Sequence, residues 1–349
     1  MKKFLQRVVL VAVAMATAQV AVAESWRINN DTSKGAHFAS INDAMASEDV
    51  KDGDVLYLDP GAVITGNQTI TKAITLIGTG WSFSDRPYGY AQVSGNLKIN
   101  AAAKVIGLYV TSSIKVNTDN IVIERCRVES EISFEVNAGH TSCNNIQVIS
   151  SYVVNGSVSG YGPTGHYWLI SNCIILNKAY SSQTLSYLSN ATVTNNFLLK
   201  GYPGDYILKK VTNSVFKNNI TVNNWQSGYQ NRIETSCSGN SFTNNCMSAD
   251  STTSYASANI CANSMDLSTF VLNNGYTGGG MTYQLCEGSP AIGAGEGGID
   301  CGPYAKGSLY PFVPYGYPKH IPYFTEAVVP AQPTDGKVKV SLKIVNQND

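Results

Sequence analysis

The chain has 349 residues, its 24 basic and 24 acidic side chains cancel, and only 14% of residues are charged. That balance lacks the cationic excess of a nucleic-acid-binding surface, so nucleic acid is excluded as a partner. With 43% hydrophobic residues, the chain is long enough for one large domain with a sizeable core.

Residues 1–23 read MKKFLQRVVLVAVAMATAQVAVA, with Lys2, Lys3 and Arg7 ahead of an apolar run and Ala21-Val22-Ala23 at its end. This is the pattern of a secretory signal peptide. The run is too short and too alanine-rich for a permanent anchor, so no membrane span is expected after cleavage. The expected location is beyond the inner membrane: extracellular, on the cell surface or periplasmic.

Residues 36–46, AHFASINDAMA, place Phe38, Ile41 and Met45 at helical spacing. The turn Asp52-Gly53-Asp54 then leads into Val55-Leu56-Tyr57-Leu58, Gln68-Thr69-Ile70 and Ile74-Thr75-Leu76-Ile77-Gly78. A short helix followed by strands predicts a capped solenoid, because an open end exposes both core and strand edges.

From residue 122 a phrase recurs: VIERCRV, VISSYVV, LISNCII, VTNNFLL, FKNNITV and FTNNCMS. Aligned on Cys126, Tyr152, Cys173, Phe197, Ile220 and Cys246, the spacings are 26, 21, 24, 23 and 26. A period in the twenties predicts a solenoid, and alternation within each unit predicts strand walls. A leucine-rich repeat would need helices, and a propeller about forty residues per blade. The expected fold is all-β: a right-handed parallel β-helix solenoid with an N-terminal capping helix and a C-terminal extended tail.

In that alignment, Val122, Val148, Leu169, Val193, Phe216 and Phe242 should point inward with the anchors. Val128, Val154, Ile175, Leu199 and Val222 should join them two residues later, with Ser248 the exception. The residue before each anchor is Arg125, Ser151, Asn172, Asn196, Asn219 or Asn245. Asparagine tolerates a left-handed turn and can bond to its counterpart one coil away, so a ladder is expected at this corner. Val153, Ile174, Leu176 and Leu198 would form an apolar outer face needing cover from the tail or another chain.

After residue 305 the composition shifts. SLYPFVPYGYPKHIPYF (308–324) is rich in Pro and Tyr and should run over the outside of the tube. Lys337 to Val345 alternate and predict one strand. The expected organisation is a signal peptide over 1–23, the capped β-helix over 24–304 and the tail over 305–349.

The stretch SINDAMASEDVKDGDVLYLDPGAVITGNQTITKAITLIGTGW resembles the opening of secreted pectate-lyase-like parallel β-helix proteins of Bacteroidetes type. Gly288-Ser289-Pro290-Ala291-Ile292-Gly293-Ala294-Gly295, followed by Ile299-Asp300-Cys301-Gly302-Pro303-Tyr304, is similar to a signature near the end of such helices. The resemblance spans about 36–304 and names a fold superfamily of lyases, hydrolases, epimerases and proteins of other roles, which does not fix activity. It implies that a lyase would use Arg or Lys as base, with calcium or a neutralising group on the enolate. A hydrolase would use paired Asp and Glu; within 121–249 only Asp205 is present, which counts against that class.

Two charged groups are candidates for chemistry. The first is Glu124, Arg125, Arg127, Glu129, Glu131 and Glu135, with Arg127 a candidate base and Glu129 and Glu131 candidate calcium ligands. The same pattern also describes ordinary ion pairs on an exposed strand. The second is Lys200, Asp205, Lys209, Lys210, Arg232 and Glu234, of which Lys209, Arg232 and Glu234 are catalytic candidates. Tyr202, Tyr206, Trp225 and Tyr229 lie beside it and suit a sugar ring, or stacking between coils. His140 and His166 fall between strands as alternative bases.

The cysteines divide. Cys126, Cys173 and Cys246 occupy the anchor and read as small core residues, while Cys237 with Cys261, or Cys286 with Cys301, are candidate disulfides. The only close His/Cys spacing, His140 with Cys143, does not make a zinc site. Two functions remain open: a polysaccharide-binding or polysaccharide-cleaving protein, a lyase on an acidic glycan in the second case, or a non-catalytic surface or matrix protein.

Overall fold

The computed structural model describes residues 23–81, 90–135, 143–161, 164–179, 182–201, 206–223, 232–248, 258–262, 283–312, 323–328 and 341–345. The expected signal peptide, apart from Ala23, therefore lies outside the described residues. Strands of two to seven residues stack into three long sheets, two of ten strands and one of nine, and every pairing in them is parallel. The chain is a parallel β-helix. Its walls are called A, which holds Val122–Glu124, B, which holds Arg127–Val128, and C, which holds Ile132–Phe134.

The register shows why sequence periodicity was readable only in the middle of the chain. From Lys104 to Val122 a coil takes 18 residues, and the following coils take 25, 22, 23, 23 and 26. Wall A carries one continuous inner column: Leu56, Leu76, Val105, Ile123, Val148, Ile170, Val193, Phe216 and Phe242. Phe216 and Phe242 stack with rings 4.8 Å apart and nearly parallel, as neighbouring coils allow.

Two coils slip by one residue from the sequence alignment. Ile123 and Ile170 face the core, not Val122 and Leu169; the anchors' true partners are Arg127 and Ile174, not Cys126 and Cys173. The cause is chemical. At the corner between walls A and B, Asn196, Asn219, Asn245 and Asn259 form a ladder in which each side-chain oxygen accepts the preceding rung's backbone N–H at 2.8–3.0 Å. Each side-chain amide of Asn196, Asn219 and Asn245 donates to the inner-column carbonyl of Ile170, Val193 or Phe216. Cys126, Ser151 and Cys173 occupy the same column, and the thiols donate to Val105 and Val148 carbonyls as the amides do further on. Cysteine here replaces the second asparagine of the pair, and burial pushes both thiols up to about 12.

The left-handed turn and the ladder thus use adjacent residues. Positive φ falls on Arg125, Ser150, Asn172, Asn195, Asn218 and Asn244, and the ladder on the residue after each.

Wall B differs most from expectation. Its inner column is Ile64, Val93, Val110, Val128, Val153, Ile175, Leu198, Thr221 and Met247. Val153 and Leu198 therefore belong to the core, and Tyr152, Phe197, Ile220 and Cys246 point outward. With Ile174, Leu176, Leu199 and Val222 they build a second apolar layer outside the tube. Residues 283–312 cover it, inserting Tyr283, Ala291, Cys301 and Phe312, with Trp81 beside them. The expected cover was the Pro/Tyr-rich tail or another chain; of that tail only the beginning, up to Phe312, takes part among the described residues. Gly302 (φ 95°) comes so close that an added Cβ would lie 2.8 Å from the Ile220 side chain.

At the other end the helix is Ile41–Ala46, shorter than the apolar spacing implied; Phe38 precedes it and bridges to Ile28. Ser40 caps it by accepting from Asp43 N–H, and Ile41, Ala44 and Met45 close the tube. Asn42 then serves as a ladder rung, accepting from Thr69 N–H at 2.9 Å, so the helix protects the edge of wall C. Asp54 ties the first strand down, accepting from the Glu24 and Lys51 backbones and the Trp26 indole at 2.8–2.9 Å. In the tail Ser341–Val345 is a strand, paired antiparallel with Tyr323–Val328.

Replacing Asn219 by Ala removes an acceptor and two donated bonds inside the corner. The expected loss is about 1–3 kcal/mol for each buried group left unpaired, read as a lowered urea midpoint. Asn219→Cys keeps the donor and should cost less. Burial raises the Asp54 carboxyl, but its three donors outweigh that and hold it below the usual carboxylate range. Its contribution is present above the unfolded value of about 3.9 and is lost as pH falls through the lower folded value. Trp26 fluorescence should therefore change at low pH, and Asp54→Asn should remove that step.

Candidate functional site

The three walls disperse charges that are neighbours in sequence. Glu124 meets Lys104 at 3.0 Å at the end of wall A, and Arg127 meets Glu129 at 2.6 Å on wall B. Glu135 meets Lys98 at 2.9 Å and Glu131 pairs with Lys115 on wall C. Glu129 and Glu131, the two carboxylates considered for calcium, thus serve different walls, each beside a cation. Among the described residues no group of three His, Cys, Asp or Glu side chains could hold a metal ion. The described residues do not fit a calcium site, which needs six or more converging oxygens.

What the structure does assemble is a patch on the outside of wall B, around Arg127. Its register neighbours one coil away on either side are Tyr109 and Tyr152. The guanidinium carbon lies 4.9 Å from the Tyr109 ring centre and 5.8 Å from that of Tyr152. Tyr90 meets Tyr109 edge-on at 5.7 Å. The Arg127 and Glu129 side chains keep 24% and 27% exposure, so solvent reaches the pair. Burial and then Glu129's charge push the Tyr109 phenol above the ordinary value, against a smaller lowering by Arg127. Burial raises Tyr152 likewise, opposed by a hydrogen bond with Tyr283.

The patch ends where the cover begins. Tyr152 touches Tyr283 and Trp81, with ring centres 6.2 and 5.6 Å away, and Trp81 donates its indole N–H to the Arg125 carbonyl at 2.9 Å. Arg125 itself is buried at the corner and does not join the patch.

The second candidate group lies on wall C. Lys98, Lys115, Ser133, Ser159, Ser186 and Lys209 share one register column, making that outer face polar. Lys209 reaches Glu234 at 3.7 Å, and Tyr206 pairs in register with Arg232. Lys210 covers the Tyr187 ring at 4.9 Å, and Tyr187 meets Tyr161 edge-on at 4.7 Å. Tyr202, Trp225 and Tyr229 lie outside the described residues, as do Asp205 and His140. His166 is exposed beside Tyr167. Lys200 is buried, donating to the Ala179 carbonyl and the Asn177 side chain.

Tyr90 and Tyr109 are site residues that the sequence did not single out. The signal was present in Gly107-Leu108-Tyr109-Val110, which fits Arg125-Cys126-Arg127-Val128 position for position, but the 18-residue coil lies outside the period.

No protein-family model matches the chain, and no curated protein matches it. The class that its own strands define is the parallel β-helix.

On alkaline titration the Tyr109 and Tyr152 phenols should ionise above the ordinary value of about 10. Tyr109→Phe should remove one late equivalent from the ultraviolet titration curve and leave the early part unchanged.

Proposed function

We propose that the protein is an exported β-helix that engages acidic polysaccharide through the Arg127 patch on wall B. The observation that carries this reading is the solvent-reachable Arg127–Glu129 pair framed by Tyr90, Tyr109 and Tyr152. A uronate offers a carboxylate for the guanidinium, C–H faces for the aromatic rings and hydroxyls for Glu129. The signal-peptide pattern supports export, and the resemblance of 40–81 and 288–304 is to a fold superfamily that includes polysaccharide lyases among other roles.

Binding without turnover is the simpler use of the patch, as in a surface or matrix protein. One feature favours a lyase as the second reading. In such a step Arg127, the candidate base, would take the proton α to the uronate carboxylate, and the Tyr109 phenol, which holds its proton beyond the ordinary range, would give one to the leaving glycosidic oxygen. On wall C, Lys209 with Glu234 is the alternative charged pair for either reading.

The test is affinity electrophoresis in gels containing polygalacturonate or alginate, with ultraviolet detection of unsaturated product in parallel. Wild-type protein should be retarded, and Arg127→Gln should weaken binding at least tenfold, about 1.4 kcal/mol. Product formation lost in Tyr109→Phe would make the patch a lyase site. Retardation unaffected by Arg127→Gln but lost in Lys209→Gln would move the site to wall C; no retardation by any acidic glycan would overturn the reading.

A further inference from the structure

The covering segment meets the tube at a pair of thiols. Cys246, on the last long coil of wall B, points outward into the second apolar layer, where Cys301 enters from the cover; both are buried. Backbone bonds hold Cys301 in place: its N–H donates to Ala291 O at 2.9 Å, and Gly302 N–H donates to Asn218 O at 2.8 Å. The Cys301 thiol donates at 3.1 Å to the carbonyl of Asn244, two residues before Cys246. The Cys246 thiol lies close enough to act on the Cys301 thiol. Sequence spacing pairs Cys301 with Cys286 instead, yet Cys286 is half-buried and lies outside this layer.

We propose that Cys246 and Cys301 are a disulfide-forming pair that staples residues 283–312 to wall B when the protein folds in an oxidising compartment. Both side chains are thiols in this structure. With a glutathione-type disulfide as oxidant, the thiolate of one cysteine attacks the oxidant and releases one reduced thiol. The second cysteine's thiolate then attacks the mixed disulfide and releases the other, so two electrons pass to the oxidant and two protons leave the protein. The neighbouring Cys246 thiol and burial raise Cys301 above an ordinary cysteine, so Cys301 attacks slowly once the protein is folded. The bond therefore forms as the cover closes and is afterwards shielded from reductant. Its loop of about 55 residues would restrict the unfolded chain strongly.

To test this, the full chain is refolded with mixed oxidised and reduced glutathione, trapped with N-ethylmaleimide in denaturant and digested without reductant. The expected product is a linked peptide pair containing Cys246 and Cys301, with Cys126 and Cys173 alkylated. Trypsin cleavage at Lys306 in the native protein should accelerate at least tenfold after reduction. C246A/C301A should be cleaved at one rate with and without reductant, which separates the staple from a folding defect. Alkylation of both Cys246 and Cys301, linkage of Cys301 to Cys286, or a wild-type cleavage rate indifferent to reductant overturns the proposal.

Discussion

The structure depends on one constraint: parallel coils must repeat their corners in register, or every side chain beyond the corner changes face. The ladder between walls A and B enforces this. Each rung accepts the previous rung's backbone N–H and donates to an inner-column carbonyl, so a slip of one residue would leave buried polar groups unpaired. Successive rungs stand 14 to 26 residues apart around the same corner because the ladder, and not the length, sets the register.

A tube so built has polar and apolar outer walls, and only the apolar one needs company. The outer column of wall B runs Tyr109, Arg127, Tyr152, Ile174, Phe197, Ile220, Cys246. Among the described residues the cover lies on the apolar part and stops at Tyr152. Arg127 stays reachable because it falls one coil before that limit, and it is framed by rings because its register neighbours are tyrosines.

The repeat, the strand walls, the capping helix and the asparagine ladder were legible because period and residue type both marked them. The inside and outside of wall B were not. Where both faces are buried the alternation carries no direction, and Tyr152-Val153 and Phe197-Leu198 read equally well either way. Cysteine at 126 and 173 hid two rungs, since a thiol donor does not look like an amide. Of the candidate site, Arg127 and Glu129 were visible as adjacent opposite charges; their separation from Glu131 was not, because a coil of about twenty residues turns neighbouring strands onto different walls. Tyr109 entered only through a stacking contact across a coil of irregular length.

The boundary at Tyr152 also sets a length. Among the described residues, the coils of wall B outside the cover run from Val63 through Gln92, Tyr109 and Arg127 up to the covered Tyr152, four steps of stacking. At about 4.8 Å per step that is about 19 Å of wall along the axis. A linear polymer laid parallel to the tube has room for only a few units before it abuts the cover, whereas one laid across the coils meets no such stop. The chain's own C-terminal segment thus acts as a gauge block on its surface, limiting which approach a long molecule can take.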